Sequence, residues 1–246
     1  MKIILISFLL LIPIVSFSQT LVETVNLPAG TFYDYGYGLV HNNSKYWISS
    51  YSSSAGAGLI KAVNSFGVEV DQVSINYPTI KPSQGLTHDG TNFWFIERSS
   101  SGDFFKVATD GTVLDSITSS QLFGGAKYMG GAGWDGTHLW VSVYYPNPDA
   151  ALYKIDISTK SIVDTIPTYG TQPQGITFKG DTLFYDMDDN DGDDERVFAV
   201  DLATKDTLFS FHVPDQASQS PRGLAWDGTF FWLLAEPVGG SINQRQ

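Results

Sequence analysis

The sequence predicts an all-β fold, a β-propeller of five four-stranded blades closed by the N-terminal strand. Three observations predict it: a ten-residue stretch that recurs at blade-like spacing, the β-like runs that follow each copy, and the lengths left over at the two ends. The recurring stretch reads GLVHNNSKYW from Gly38, GLTHDGTNFW from Gly85, GAGWDGTHLW from Gly131, GITFKGDTLF from Gly175 and GLAWDGTFFW from Gly223. The leading glycines stand 47, 46, 44 and 48 residues apart. That period, with several short strands per unit, is the pattern of a propeller blade.

Each copy is followed by a second β-like run, LIKAVNSFG, FFKVATDG, LYKIDISTK or VFAVDLATK, and a third follows in TVLDSI, SIVDTI and TLFSF. Turn residues separate runs of alternating or apolar character, and no long stretch of helical period is present. At the ends, the segment after Gly223 and the segment before Tyr37 together make about one further unit. LVETVNLP, at 21–28, therefore reads as an outer strand that completes the last blade and pairs the terminal edges. A propeller cut short at its C-terminus, as a fragment of a larger protein, is the alternative, because SINQRQ makes a poor third strand.

Within the repeat, Asp-Gly between β runs signals a two-residue type I′ hairpin at Asp89-Gly90, Asp135-Gly136 and Asp227-Gly228, with Asn42-Asn43 and Lys179-Gly180 as variants. These aspartates read as turn residues rather than acids. Ahead of the turn, His41, His88, Trp134, Phe178 and Trp226 share one slot and are expected to pack as flat rings between blades. A metal role for the histidines finds no supporting spacing. After the turn, Trp47, Trp94, Trp140, Phe184 and Trp232 share another slot and read as core. The Trp-Asp pairs here do not occupy the position of the dipeptide in WD repeats.

The first 18 residues, with Lys2, an apolar run from Ile3 to Val15 and Ser16-Phe17-Ser18, read as a signal peptide followed by one domain over 19–246. The expected location is secreted or periplasmic, with no membrane span, because the apolar run is shorter than the about 20 residues a span needs. No cysteine is present, so no disulfide framework is available. The formal charge of −12 argues against nucleic acid and anionic membranes, and leaves cations, glycans, peptides and basic proteins as partners of a monomer.

In a propeller, the residues entering each innermost strand sit at the channel mouth, and loops on a rigid scaffold carry function. The candidate ligand-binding residues there are Tyr37, Gln84, Gln174 and Arg222, with Gly130 in the same slot. The loops joining second to third strands add Tyr144 and Tyr145, Glu97 and Arg98, the acidic run from Asp186, and Glu236. In DMDDNDGDDER, at 186–196, Asp189, Asp191 and Asp193 alternate as in oxygen-rich calcium loops, so calcium is the one cofactor expected. The EF-hand frame is incomplete, since Gly192 at its sixth position would put Met187 first. No G-x-S-x-G occurs and the histidines form no triad, which leaves Glu97, Glu236 or Asp186 for acid–base work.

The stretch QGLTHDGTNFWFIERSSSGDFFKVATDG, 84–111, resembles two propeller families. It is similar to the plant and bacterial type of glutaminyl-peptide cyclotransferase, a five-bladed propeller in which a Gln-Gly-Leu motif precedes a strand ending in a catalytic glutamate. That resemblance implies a catalytic Glu97. The same stretch resembles blades of streptogramin lyase and NHL-type propellers. The cyclotransferase's tryptophan–lysine motif has no clear counterpart in LWVSVYYPNPDAALYKID, and the histidine pair of streptogramin lyase has none. The expected function is a secreted binding propeller, bacterial in its leader, that presents a loop-rich face to a glycan, peptide or protein. A cyclotransferase-like enzyme is the alternative.

Overall fold

The computed structural model describes residues 21–27, 35–52, 57–75, 82–97, 102–146, 150–188, 195–213, 221–235 and 241–245. The strands follow in chain order: β1 (Leu21–Asn26), β2 (Tyr35–Asn42), β3 (Lys45–Ser52), β4 (Ala57–Val63), β5 (Glu69–Ser74), β6 (Pro82–His88), β7 (Phe93–Glu97), β8 (Phe104–Val107) and β9 (Val113–Ile117). After the helix α1 (Ser119–Phe123) come β10 (Tyr128–Trp134), β11 (Leu139–Tyr145), β12 (Ala151–Asp156) and β13 (Ser161–Pro167). The remainder are β14 (Pro173–Lys179), β15 (Thr182–Met187), β16 (Arg196–Asp201), β17 (Thr207–His212), β18 (Pro221–Trp226), β19 (Phe231–Ala235) and β20 (Ser241–Arg245).

They form antiparallel four-stranded sheets in the orders β2-β3-β4-β5, β6-β7-β8-β9, β10-β11-β12-β13, β14-β15-β16-β17 and β1-β20-β19-β18. The protein is a β-propeller. The last sheet joins the two ends of the chain, with Thr24 opposite Asn243 and Val25 opposite Ile242. SINQR, a poor strand by composition, is held as β20 because it has a partner on each side. Second strands such as β11 are buried on both faces over most of their length, whereas outermost strands such as β13 alternate. The helix, absent from the strand-only expectation, is a single turn stopped by Gly124 and started by a capping box in which Thr118 and Gln121 satisfy each other's backbone.

The recurring glycine is explained by close approach of neighbouring sheets. A Cβ on Gly38 would lie 2.5 Å from Leu86 N, one on Gly85 2.7 Å from Ala132 N, and one on Gly131 2.3 Å from Gln174 O. One on Gly175 would lie 2.4 Å from Leu224 N, and one on Gly223 2.9 Å from Leu39 N, so the contact passes round the whole ring. Apolar clusters fill the wedges between sheets. Trp94, Ile96 and Phe104 pack on Met129, Val141 and Val143; Trp140 and Leu152 pack on Tyr185 and Phe198; Trp232 and Leu234 pack on Leu39, Tyr46 and Ile48. The shared slot of Trp47, Trp94, Trp140, Phe184 and Trp232 is buried throughout.

The hairpins at Asp-Gly are not two-residue type I′ turns. His88 faces Phe93, Trp134 faces Leu139 and Trp226 faces Phe231, which leaves four-residue loops at 89–92, 135–138 and 227–230. The glycine takes positive φ (93° at Gly90), but the aspartate does not. Its carboxylate instead ties the loop: Asp89 Oδ1 accepts from the N–H groups of Thr91 and Asn92, and Oδ2 from the Trp94 indole at 3.1 Å. Asp135 and Asp227 repeat this with Trp140 and Trp232. Two-residue turns occur where the aspartate is missing, at Asn43-Ser44, both with positive φ, and at Gly180-Asp181.

Candidate functional site

The mouth of the channel is built by the starts of the inner strands β2, β6, β10, β14 and β18. Each of these strands has an irregular register at its start, next to the leading glycine, which re-aims the residue before it. At the fourth and fifth sheets this brings charged groups together. Arg222 Nη1 lies 2.9 Å from Asp188 Oδ2, and the guanidinium sits 5.4 Å from the Tyr37 ring. Arg222 thus connects the fourth, fifth and first sheets across the junction of the chain ends. Asp188 is 1% exposed at its side chain, so the pair is withdrawn from water on one side.

Beneath it lies Asp186, fully buried, whose Oδ1 accepts the Gly175 N–H at 2.8 Å. The same service is done by serines elsewhere: Ser49 Oγ accepts from Gly38 N and Ser142 Oγ from Gly131 N. A carboxylate in a serine's place brings a second oxygen, and Asp186 Oδ2 has no hydrogen-bond partner among the described residues. Burial pushes the Asp186 carboxyl well above the usual carboxylate range; the Gly175 N–H and Arg222 oppose this, and Asp188 adds to it.

A groove of about 510 Å³ opens on the same face, lined by Tyr128, Tyr144, Tyr145, Thr171 and Gln172. Tyr128 stands edge-to-face with Tyr145 at 5.5 Å and is tilted against Tyr144 at 6.1 Å. The groove and the charged cluster are contiguous, because the Asp188 N–H donates to the carbonyl of Gln172 at 3.1 Å.

Of the residues singled out in the sequence, Tyr37 and Arg222 come together, and Tyr144 lies in the groove. Gln174 is buried, with its Oε1 against Gly130, so it packs the mouth rather than lining it openly. Gln84 pairs with Ile96 in the second sheet. Glu97, at the end of β7, faces Pro82 and donates its N–H to Asp103 O; its sheet is separated from the fourth and fifth by one sheet on either side. Glu236, Arg98 and the proposed calcium ligands Asp189, Asp191 and Asp193 lie outside the described residues. Among the described residues no group of three metal-ligating side chains occurs. Asp188, Tyr128, Thr171 and Gln172 were not individually distinguished by sequence. Asp188 merged into the acidic run, and the other three lie ahead of their blades' leading motif.

His88 borders a crevice between the first and second sheets with Trp47 and Val73, and His41 lies close to Asp227 of the fifth sheet. Both line a cavity of about 150 Å³, together with Thr87, Trp134, Thr177, Phe178 and inner-strand residues of all five sheets, at the channel end opposite the mouth. His88 also accepts the Gly90 N–H on Nδ1. Burial lowers both imidazoles below their ordinary range, against the nearby Asp227 and Asp89 respectively.

No family model matches the chain, and no curated protein matches it by sequence. Among solved structures, it is similar to the glutaminyl cyclase of Myxococcus xanthus, with a TM-score of 0.67 and 11% identity over 93% of this chain and 95% of that one. It is also similar to the hydrazine synthase of Kuenenia stuttgartiensis, with a TM-score of 0.54 and 16% identity over 82% of this chain and 56% of that one. A chain of a nidogen/laminin complex matches with a TM-score of 0.52 and 15% identity over 77% of this chain and 67% of that one. At these identities the likeness is one of fold, and the fold is the β-propeller.

Proposed function

We propose that the protein is a secreted or periplasmic binding propeller, five-bladed and closed by its N-terminal strand, that takes the end of a glycan or peptide chain on its mouth face. The observation that carries this reading is the continuity of a groove whose described lining is aromatic and uncharged with the Tyr37–Arg222–Asp188 cluster through Gln172. Ligand sites combine apolar rings with a few convergent polar groups in this way. A calcium ion on Asp189, Asp191 and Asp193 belongs to the same proposal. The chain should be screened on glycan and peptide arrays beside a Tyr145→Ala, Arg222→Ala variant. Retention that the double variant loses supports the reading; no retention on either array removes it.

The full-length likeness to a glutaminyl cyclase favours a second reading, cyclisation of an N-terminal glutamine. In that reaction the α-amine forms a bond to the side-chain amide carbon, the C–N bond to the amide nitrogen breaks, and ammonia leaves. Glu97 would carry the proton from the attacking amine to the departing nitrogen. Incubation with a glutaminyl peptide, followed by mass spectrometry for loss of ammonia, tests it. The expected result is product with the native chain and none with Glu97→Gln. An unmodified peptide, or equal product from both, ends the second reading.

A further inference from the structure

We propose that the groove framed by Tyr128, Tyr144, Tyr145, Thr171 and Gln172 is a subsite for a neutral pyranose at the end of a glycan. The inference rests on the binding reading above and names the ligand of that face. Among the few exposed aromatic side chains of the described residues, Tyr128 (42% exposed) and Tyr145 (56%) stand in contact with each other. Standing edge-to-face at 76°, the two rings form a corner, one presenting its face and the other its edge. A pyranose suits such a corner. Its C–H face lies on an aromatic face, while equatorial hydroxyls reach phenol groups and amides at the rim.

The polar part of the lining has the same character. Thr171 and Gln172 offer both donors and acceptors and carry no charge. The Gln172 backbone is fixed by the hydrogen bond from Asp188, so this wall is built before a ligand arrives. No charged side chain lines the groove among the described residues, on a chain whose net charge is −12. A uronate or sulfated sugar would be repelled by the long-range field and would find no counter-charge among the described lining residues. The volume, about 510 Å³, is that of a small-molecule cleft rather than of a protein-docking surface.

A peptide is the less suitable occupant. Extended peptides gain affinity by adding to an open strand edge. Here β11 is hydrogen-bonded to β10 on one side and, over Leu139–Val143, to β12 on the other, so no edge is open along that length. A peptide would find at most the short tip of β11 to pair with, whereas the groove offers rings and side-chain hydrogen bonds.

The test is titration calorimetry of the purified chain with cellohexaose, xylohexaose, mannohexaose and chitohexaose in turn. An oligogalacturonate and a glutaminyl peptide serve as the other arms. At least one neutral hexasaccharide should bind, with affinity weakened about tenfold or more by Tyr145→Ala and by Tyr128→Ala, and largely kept by Tyr145→Phe. Unchanged melting curves for these exposed-site variants would show that the fold is intact. Failure of all four neutral sugars, or binding that neither alanine variant weakens, overturns the proposal. If the peptide alone binds, the pyranose subsite is wrong while the binding reading stands; if nothing binds, both fall.

Discussion

Two aspartates of the repeat, Asp135 and Asp186, sit in opposite electrostatic situations. Burial by itself would raise Asp135, but the Trp140 indole, the N–H groups of His138 and Thr137, and Lys154 hold it down to about 2. Its folded pKa lies below the unfolded value, so its contribution to stability is present above the ordinary carboxylate range and is lost as pH falls through about 2. Asp186 is raised, so its contribution is full below the unfolded value and is lost as pH rises through the folded one. Two variants separate these signs. Asp135→Asn should destabilise near neutral pH by about 1–3 kcal/mol, with the difference shrinking in acid. Asp186→Ser, which installs the group used at Ser49 and Ser142, should melt higher than the native chain at neutral pH and lose that advantage in acid. Melting curves across pH check both, and an Asp186→Ser difference that does not vary with pH would refute the account of that residue.

At the scale of elements, the sheet made from both chain ends is the joint of the ring. Asp227, beyond its own loop and indole, accepts the Tyr46 hydroxyl of the first sheet at 2.9 Å, where Asp89 and Asp135 have Lys106 and Lys154 from their own sheets. Arg222 makes the other stitch, at the mouth. The pairing of β1 with β20 can be tested in a chain that has no cysteine of its own. Thr24→Cys with Asn243→Cys places thiols on directly opposite residues and should cross-link under mild oxidation. The closed loop spans nearly the whole chain, so in the chain-entropy model the bond should stabilise by about 4–5 kcal/mol and raise Tm. A pair that stays reduced would mean that β1 does not lie on β20.

For the molecule as a whole, the apolar clusters between neighbouring sheets share the burden of stability, and a buried charged pair sits at the mouth. Asp188, which ends the described part of the chain after β15, precedes the acidic run in sequence, so a cation bound by that run would couple to the fold through the Asp188–Arg222 pair. A ligand that binds only the native state raises Tm with concentration. Millimolar calcium should therefore raise Tm, and Asp189→Asn with Asp191→Asn should abolish the rise. An unmoved Tm would remove calcium from the proposal.

The propeller class was legible in the sequence because every blade repeats the same local demands: a glycine, a flat ring, a turn and a buried tryptophan or phenylalanine. Local chemistry also pointed to the aspartates as turn residues and to Tyr37, Arg222 and Tyr144 as mouth residues. What the repeat could not express was the partner of each group. The four-residue loop at Asp-Gly depends on the aspartate reaching both the loop N–H groups and an indole five positions on, and His41 and His88 border the channel end because the inner strands converge there. Tyr128, Thr171 and Gln172 become one groove only when the third and fourth sheets are set side by side. The leading glycine marked the period in sequence, but its reason is tertiary: each one admits the backbone of the next sheet, and the last admits the first. Periodicity along the chain thus determined the kind of fold, and closure of the ring decided which residues meet, because the contacts of Arg222 and the two walls of the groove join different units.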